Sequence, residues 1–174
     1  MTHDDKAARD GQPAPTHRHL DRRDDIRDSI AALLEQARRQ IRVLAPRLEH
    51  NYFNTGRVQH ALARFMARHR ENRAQFLVED AEQVMHDNAR LVELARRFPE
   101  FIQIHQVGAE DIGLGTLRVI SDRHGLLSQP DVSEIDTELH LDDPHAAIPA
   151  GNDFDARWAR SEPLAGLHAA GLSP

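Results

Sequence analysis

The chain contains no cysteine and only one lysine among its 174 residues. Without cysteine it has no disulfide, no thiolate metal ligand and no cysteine nucleophile, which fits a reducing cytoplasm. The single lysine, Lys6, belongs to the N-terminal segment, so the rest of the chain offers no Schiff-base or phosphate-loop lysine. No apolar run approaches the ~20 residues of a membrane helix, and the polar, acidic start does not resemble a signal peptide. We therefore expect a cytoplasmic protein without membrane contact.

Aromatic residues are also scarce, at 5% of the sequence, but hydrophobic residues reach 40% and suffice for the core of one ordinary domain. Residues 1–20 contain Gly11, Pro13, Pro15 and scattered charges with almost nothing to bury, which predicts a disordered tail. One folded domain is expected over residues 21–174.

Acidic and basic residues are unevenly distributed along the chain. Residues 17–73 hold 13 arginines against 7 carboxylates, whereas residues 79–174 hold 7 arginines against 18 carboxylates. This asymmetry has two interpretations: a compositional preference for arginine with an acidic C-terminal half, or a basic face for an anionic partner. The net charge of −6 at pH 7 favours the first interpretation.

Hydrophobic periodicity predicts helices that alternate with strands. Helices are expected over residues 24–39, 57–69, 81–98 and 152–160, and strands over residues 41–46, 75–80, 101–107, 116–121, 125–129 and 138–141. Phe154 and Trp158 are expected to face inward from the last helix, and residues 163–174 to be loosely packed. This order predicts parallel strands with right-handed crossovers and a later antiparallel hairpin at one side. The predicted fold class is α/β, a mixed sheet with helices on its faces.

The segment most typical of a functional site directly follows the first predicted strand, and it consists of Glu49, His50, Asn51 and Tyr52. Ligands of open parallel sheets collect at the carboxyl ends of the strands, where Glu79 and Asp80 follow the second strand. A histidine near two carboxylates has the groups for acid–base chemistry. The alternative is ordinary capping, in which Asp80 caps the third helix and Gln83 completes a capping box.

Twelve histidines raise the question of a metal site. No predicted helix carries two histidines four residues apart with a neighbouring glutamate, and His17 and His19 lie in the predicted tail beside acids. The sequence from Gly113 to Gly115 lacks the third glycine and the strand-to-helix setting of a dinucleotide loop, so we interpret it as a turn. Neither a metal nor a cofactor is predicted.

Several segments together resemble one half of a phospholipase-D-like domain: IRVLAP, QFLVED and LRVISDRHGLLS, with the helices between them. Active members of that family carry a His-x-Lys-x-x-x-x-Asp motif, in which the histidine attacks phosphorus. In TLRVISDRHG the aspartate of the motif matches Asp122, while Leu117 and Gly115 stand at the lysine and histidine positions. The resemblance implies the family's fold, as a single half-domain, without the nucleophile and the cation that its chemistry needs.

The sequence is more similar to an uncharacterised bacterial domain of this degenerate kind, sometimes joined to N-acetyltransferase domains. The resemblance covers about residues 24–170 and rests on LVEDAEQVMHDNARLVELARRFPEFIQI, VISDRHGLLSQPD and FDARWARSEPL. It implies a pseudoenzyme whose partner is a second copy of the chain or an acetyltransferase domain, because single halves of this fold commonly pair. Arg118, Asp122 and His124 are the residues of the old cleft that would remain, and a surviving anion pocket would consist of Arg118, Arg123 and His124.

Three functions are consistent with these features. The first is a non-catalytic binding or regulatory domain that holds a partner in the degenerate cleft or along an arginine-rich helix. The second is binding of nucleic acid or a phosphate ligand through Arg57, Arg64 and Arg68 in the basic N-terminal half. The third is a residual hydrolase that uses His50 with a neighbouring carboxylate, Glu49 or Asp80.

Overall fold

An eight-stranded mixed sheet forms the centre of the computed structural model, which describes residues 16–167. Its strands are β1 (His17–Leu20), β2 (Gln40–Ala45), β3 (Arg73–Val78), β4 (Ile102–Gln106), β5 (Leu117–Ser121), β6 (Gly125–Gln129), β7 (Thr137–His140) and β8 (Glu162–Pro163). The helices are α1 (Arg23–Gln36), α2 (His50–Phe53), α3 (Gly56–Arg68), α4 (Ala81–Asp87), α5 (Ala89–Arg97) and α6 (Pro144–Ala159), and a 3₁₀ turn spans Ala109–Asp111. Most of the predicted tail, and the last seven residues of the predicted domain, lie outside the described residues.

The strand order in the sheet is β1-β7-β6-β5-β2-β3-β4-β8. Strands β2, β3 and β4 are parallel, and helical crossovers connect them, as the alternation of helices and strands predicts. The other neighbouring pairs are antiparallel. The β5–β6 hairpin turns at Asp122, whose φ of 53° lies in the left-handed region. The predicted α/β class with a mixed sheet is confirmed.

Two hydrophobic layers cover the sheet because side chains alternate between its faces. On β2, Val43 points into the larger core, to which helices α1 to α5 all contribute. Its neighbour Leu44 points to the other face and belongs to a smaller core with Phe154 of α6. Gly151 allows α6 to approach the sheet closely, because a Cβ at this position would lie 2.8 Å from Nη1 of Arg42. Within residues 16–167, no helix is both long and apolar enough to cross a membrane.

Asn88 divides the predicted helix over residues 81–98 into α4 and α5. Its φ of −121° and ψ of 49° interrupt the helical path, and its side-chain amide donates a hydrogen bond to the Leu48 carbonyl at 3.0 Å. The side-chain amide of Gln83 donates to the same carbonyl at 2.7 Å. The break therefore ties the helical layer to the loop after β2, which carries the predicted site.

Three predictions for the two ends of the chain are wrong. Residues 17–20, assigned to the tail, form β1 and pair with β7. The last helix begins at Pro144, earlier than the predicted residue 152, with Asp143 as its N-cap. Leu164 and Leu167, assigned to a loosely packed end, are buried in the larger core.

Strand β1 joins the sheet with the help of charged contacts that the sequence pattern does not reveal. His17 and His19 both contact the Glu138 carboxylate of β7. The hydrogen bond with Glu138 raises the pKa of His19 above its usual value. The contacts of these two histidines with the Glu138 carboxylate stabilise the edge of the sheet. In the part of the chain that the structure describes, no group of three or more histidine, aspartate or glutamate side chains is arranged to hold a metal ion.

Candidate functional site

A cavity of about 190 Å³ opens at the carboxyl end of β2, beside the start of β5 and the end of β6. We refer to this cavity as the cleft. Its lining consists of Arg23, Pro46, Arg47, Glu49, Tyr52, Phe53, Leu117, Gln129 and residues 132–135. Residues 50–53, for which the hydrophobic periodicity predicts neither a helix nor a strand, form the short helix α2, which places Tyr52 and Phe53 in the cleft wall. The cleft thus lies where the strand-end rule places a site, although only part of the predicted set lines it.

Two arginines, a phenol and two carboxylates line the cleft. Burial raises the pKa of Tyr52, and the neighbouring Arg23 guanidinium opposes that rise. The Tyr52 hydroxyl therefore stays protonated near neutral pH and can donate a hydrogen bond. Arg47 lies 3.6 Å from the Asp80 carboxylate at the cleft border, and Glu49 adds a negative charge. This mixture of groups suits the binding of a polar or charged surface.

Backbone and apolar groups occupy the two positions where the resemblance places a catalytic histidine and lysine. Leu117 is 4% exposed and forms part of the cleft wall. Gly115 has a φ of 61°, and its carbonyl accepts a 2.8 Å hydrogen bond from the Val132 amide. A histidine at position 115 would have a strained backbone, and a lysine at position 117 would be buried in an apolar wall. The local backbone and packing therefore suit glycine at position 115 and leucine at position 117.

His50 and Asn51 face a separate hollow outside the cleft. Arg27 of α1 contributes to the opposite wall of this hollow, and Glu49 borders both spaces. Leu117 and the start of β5 line only the cleft. Any acid–base chemistry of His50 would consequently take place away from the position at which the family's motif is expected.

Asp80 acts as the N-cap of α4. Its Oδ1 accepts a hydrogen bond from the backbone N–H of Gln83 at 3.0 Å. The Gln83 side chain does not complete a capping box, because its amide donates to the Leu48 carbonyl and its Oε1 accepts from the Leu48 N–H at 3.1 Å. The capping interpretation therefore describes Asp80, while Gln83 fastens the loop below the cleft.

The structure does not bring Arg118, Asp122 and His124 into the cleft. Arg118 points to the opposite face of the sheet, where it forms an ion pair with Asp153 of α6 at 2.9 Å. Asp122 and His124 lie in the β5–β6 turn, next to the amino end of β2. The Asp122 carboxylate accepts hydrogen bonds from the three backbone N–H groups of residues 38–40, at 2.8 to 3.0 Å. We refer to this arrangement as the Asp122 clamp, and it holds the hairpin to the start of β2.

The predicted anion-binding arginines of α3 are differently engaged. Arg57 Nη2 lies 2.6 Å from the Glu35 carboxylate of α1. Arg68 Nη1 donates hydrogen bonds to the backbone carbonyls of Glu35 and Ala37, at 3.1 and 2.6 Å. Arg64 is exposed. Two of the three side chains therefore fasten α3 to α1.

Four exposed hydrophobic side chains lie at the cleft end of the sheet, and sequence reasoning missed them. Among residues 16–167 the large hydrophobic side chains with high exposure are Ile112 at 67%, Leu114 at 39%, Val132 at 45% and Ile135 at 39%. They belong to the loops that follow β4 and β6. We refer to these four residues as the apolar rim. Their signal in the sequence was the presence of branched apolar residues within polar loops.

A buried ion network holds the loop between β4 and β5. Asp111 is 2% exposed, and its carboxylate lies 2.6 Å from Arg157 Nη1 and 2.7 Å from Arg160 Nε. Arg157 also reaches Asp153 at 2.8 Å, which connects the network to Arg118. The hydrogen bond from Arg160, followed by the charge of both arginines, keeps the pKa of Asp111 below its usual range. Through Asp111, the network fastens the loop that carries Ile112 and Leu114 of the apolar rim to the end of α6.

Solved structures with a similar fold include a phospholipase D family member and an archaeal chromatin protein. Nuc from Salmonella typhimurium, a phospholipase D family member, shares 13% identity with a TM-score of 0.62, over 84% of this chain and 96% of its own. NucT from Helicobacter pylori shares 11% identity with a TM-score of 0.59, over 84% and 98% of the two chains. The archaeal chromatin protein TrmBL2, described as having a novel mode of DNA binding, shares 12% identity with a TM-score of 0.65. The match covers 87% of this chain but only about half, 54%, of TrmBL2.

These similarities, together with the eight-stranded sheet, show that the chain has the phospholipase-D-like fold. Residues 22–169 match the family model described as Domain of unknown function (DUF7931), so the chain belongs to that family. A comparison with curated proteins finds no match.

Proposed function

We propose that this chain is a non-catalytic binding domain that pairs with a second copy of itself over the cleft. The residues of the cleft wall support the first part of the proposal, that the domain is non-catalytic. By the resemblance to the phospholipase D family, Leu117 and Gly115 stand at the positions of that family's lysine and histidine. Neither residue supplies a group that attacks phosphorus or stabilises its developing charge. The cleft nevertheless stays open and presents Arg23, Arg47 and Glu49 to a partner.

The apolar rim supports a protein partner over a small ligand alone. Exposed apolar side chains grouped at one end of a domain are typical of protein–protein contacts, with charged residues around them. The rim residues Val132 and Ile135 line the cleft next to Glu134, opposite Arg23 and Arg47. A surface with both charge signs is self-complementary under a two-fold axis, as a symmetric dimer requires.

The edges of the sheet do not offer an equally good surface for pairing. Strand β8 has only two residues, and its Pro163 has no N–H to donate. Strand β1 has four residues, three of them His17, Arg18 and His19, which are exposed. Short edges with charged side chains or proline resist pairing with another strand. Pairing over the cleft is therefore favoured over the sheet-edge alternative.

The wild-type chain is expected to show no turnover of phosphodiesters. The measurement uses bis(p-nitrophenyl) phosphate and fluorescently labelled single- and double-stranded DNA, with an active phospholipase D nuclease as a positive control. If the protein does turn over a substrate, His50→Ala distinguishes the hydrolase hypothesis, with the exposed His60→Ala as its matched control. Turnover that His50→Ala abolishes and His60→Ala leaves intact would replace the non-catalytic proposal with a residual hydrolase.

Self-pairing is expected to depend on the apolar rim. In sedimentation velocity experiments the wild-type chain should sediment as a dimer, and the double substitution Ile112→Asp with Val132→Asp should yield monomers, because two buried charges would oppose association. Ala63→Asp, an exposed position on α3, is the matched control and should leave the dimer intact. A monomeric wild type would refute self-pairing and leave a different protein, such as an acetyltransferase domain, as the occupant. If Ala63→Asp dissociates the dimer and the double rim variant does not, the interface lies on the helical face and not at the cleft.

Nucleic-acid binding through the α3 arginines receives less support. TrmBL2 is described as a DNA-binding chromatin protein with this fold. In this chain, however, Arg57 is paired with Glu35, and Arg68 at the end of α3 lies against the carbonyls that end α1, so the three arginines do not form one phosphate-binding stripe along that helix. An arginine that already has a carboxylate partner contributes little to binding an external anion.

A further inference from the structure

The end of the sheet opposite the cleft carries a concentration of arginines. They lie at the amino ends of β2 and β3 and in the β5–β6 turn: Arg38, Arg39, Arg68, Arg70, Arg73 and Arg123. We refer to these six residues as the basic end. The same short segments contain only two carboxylates, Glu71 and Asp122. These segments therefore hold six arginines against two carboxylates, although the whole chain has a net charge of −6 at pH 7. Asp143, whose backbone N–H donates to the His124 carbonyl at 2.7 Å, lies beside the same turn.

Backbone contacts hold the segments of the basic end together. The Asp122 clamp fixes Arg38 and Arg39 beside the turn that carries Arg123. The backbone N–H of Arg73 donates to the Arg39 carbonyl at 3.2 Å, which joins the β2 and β3 segments. Arg68 reaches the Ala37 carbonyl at 2.6 Å, so it lies over the same loop. Arg38, Arg39 and Arg68 in turn line one open hollow at the end of α1.

Within residues 16–167, the arginines of the basic end have no carboxylate partner. The ion pairs of arginine within residues 16–167 all involve other arginines. The carboxylates nearest to the hollow are occupied: Glu35 pairs with Arg57, and Asp122 accepts backbone N–H groups. Arg68 and Arg73 donate to backbone carbonyls, which leaves their positive charge uncompensated. Unpaired arginines held side by side on backbone segments form an anion-binding surface.

The composition of this surface selects the class of anion. Its guanidinium groups match phosphate oxygens, which they bind in a bidentate manner. The exposed large hydrophobic side chains within the described residues all belong to the apolar rim, at the other end of the sheet. Among the described residues of the basic end, the aromatic ring that contacts an arginine is Phe101, which lies 5.8 Å from Arg73 Cζ and is partly buried. The basic end therefore offers no highly exposed aromatic platform for single strands, and no highly exposed apolar anchor for a membrane or a protein interface, within residues 16–167. A regular array of backbone phosphates requires neither.

We propose that the basic end binds the phosphate backbone of a nucleic-acid duplex, without recognising its sequence. This site is distinct from the cleft and from the arginines of α3 that the sequence suggested, except for Arg68. It leaves the cleft free to pair two copies, so a dimer would present two basic ends on its outside. Binding and self-pairing are therefore separable by mutation.

The test is fluorescence anisotropy of a labelled DNA duplex of about 20 base pairs, at about 50 and about 200 mM salt. If the basic end contacts about four phosphates, the affinity should fall about 100-fold between these two conditions. The triple variant Arg38→Glu, Arg39→Glu, Arg123→Glu should bind at least about 30-fold more weakly at the lower salt and should have a shallower salt dependence. Duplexes of different sequence should bind equally well.

A matched variant tests whether duplex binding depends on the basic end itself or only on the net charge of the protein. Arg22→Glu, Arg27→Glu and Arg90→Glu change the net charge by the same amount at exposed positions near the starts of α1 and α5. This control should retain wild-type affinity. The milder variant Arg38→Gln, Arg39→Gln, Arg123→Gln should give an intermediate loss, and an unchanged circular dichroism spectrum and Tm would show that the chain stays folded.

Several outcomes would overturn the proposal: no duplex binding at the lower salt, equal losses in the basic-end and control variants, or a strong preference for single strands. Binding to vesicles of phosphatidylserine without binding to duplex would assign the surface to a membrane instead. The rim variant Ile112→Asp with Val132→Asp should bind duplex through each remaining monomer, so a failure of self-pairing and a failure of duplex binding are distinguishable.

Discussion

Replacement of Asp111 by asparagine is expected to lower the free energy of unfolding by about 2–4 kcal/mol. The carboxylate is 2% exposed and accepts hydrogen bonds from Arg157 and Arg160. Asparagine would leave two guanidinium groups facing each other without the negative charge between them, and removal of one partner from a buried ion pair is strongly destabilising. The range extends down to about 2 kcal/mol because Arg157 and Arg160 are 17% and 40% exposed, so water can hydrate their guanidinium groups in part after the carboxylate is lost. Chemical denaturation at neutral pH measures the difference.

The effect of Asp111→Asn should depend on pH in one direction. Because its arginine partners hold the pKa of Asp111 below the usual range, the carboxylate stabilises the folded chain at pH values above its unfolded pKa of about 4. That stabilisation is lost as the pH falls through the lower, folded pKa. The wild type and the variant should therefore differ by a constant amount between about pH 5 and pH 8 and converge in stronger acid. Asp24→Asn, at an exposed ion pair, should change stability by less than about 0.5 kcal/mol; an equally small effect at Asp111 would contradict the network.

Replacement of Phe154 by alanine is expected to lower the free energy of unfolding by about 4 kcal/mol. Phe154 is among the largest fully buried side chains and anchors α6 to the smaller core with Leu44 and Leu77. Because α6 is the only helix that residues 16–167 contribute to that core, no other helix of this part of the chain can move in to fill the cavity. Thermal or chemical denaturation of the purified variant provides the measurement.

Trp158→Ala should cost less, about 2–3 kcal/mol, because the indole is only partly buried. Its ring stacks on His105 with centroids 3.8 Å apart and on Phe154 with centroids 5.8 Å apart. Asn152→Ala, at an exposed position of the same helix, is the control and should stay within about 0.5 kcal/mol of the wild type. A larger loss for Trp158 than for Phe154 would mean that the indole, not the phenyl ring, anchors the helix.

The parallel part of the sheet was predictable because its signals are local. Each of the strands β2, β3 and β4 is an apolar run beside a helical stripe, and Pro46 and Pro99 mark ends of elements. The break at Asn88 was not predictable, since its cause is a hydrogen bond to Leu48, 40 residues away in the sequence. The start of α6 did have a local signal, an aspartate followed by proline at the first helical position. The low amphipathicity of its first half concealed it.

The candidate site shows the same division between local and tertiary causes. The rule for strand ends points to the loop after β2, beside which the cleft lies, because the rule depends only on the parallel order of the strands. The remaining cleft residues come from the start of α1 and from the loop after β6, so only tertiary structure reveals Arg23 and Val132 as neighbours. Asp122 could not join them, since the strand β5 separates it from Leu117 by about 16 Å of extended chain. The basic end was invisible for a similar reason: its arginines lie in three segments far apart in the sequence.

The Asp122 clamp joins parts of the chain that are 82 to 84 residues apart. Loops of this length close slowly, whereas the crossovers between β2, β3 and β4 need shorter ones, so the parallel strands can assemble before β5 arrives. Until Ser121 is available to pair with Ile41, β2 presents an open, apolar edge. During synthesis that edge stays exposed while the residues from the end of β2 to the end of β5 are made. The interval before the clamp closes is therefore the period of greatest risk of aggregation for this protein.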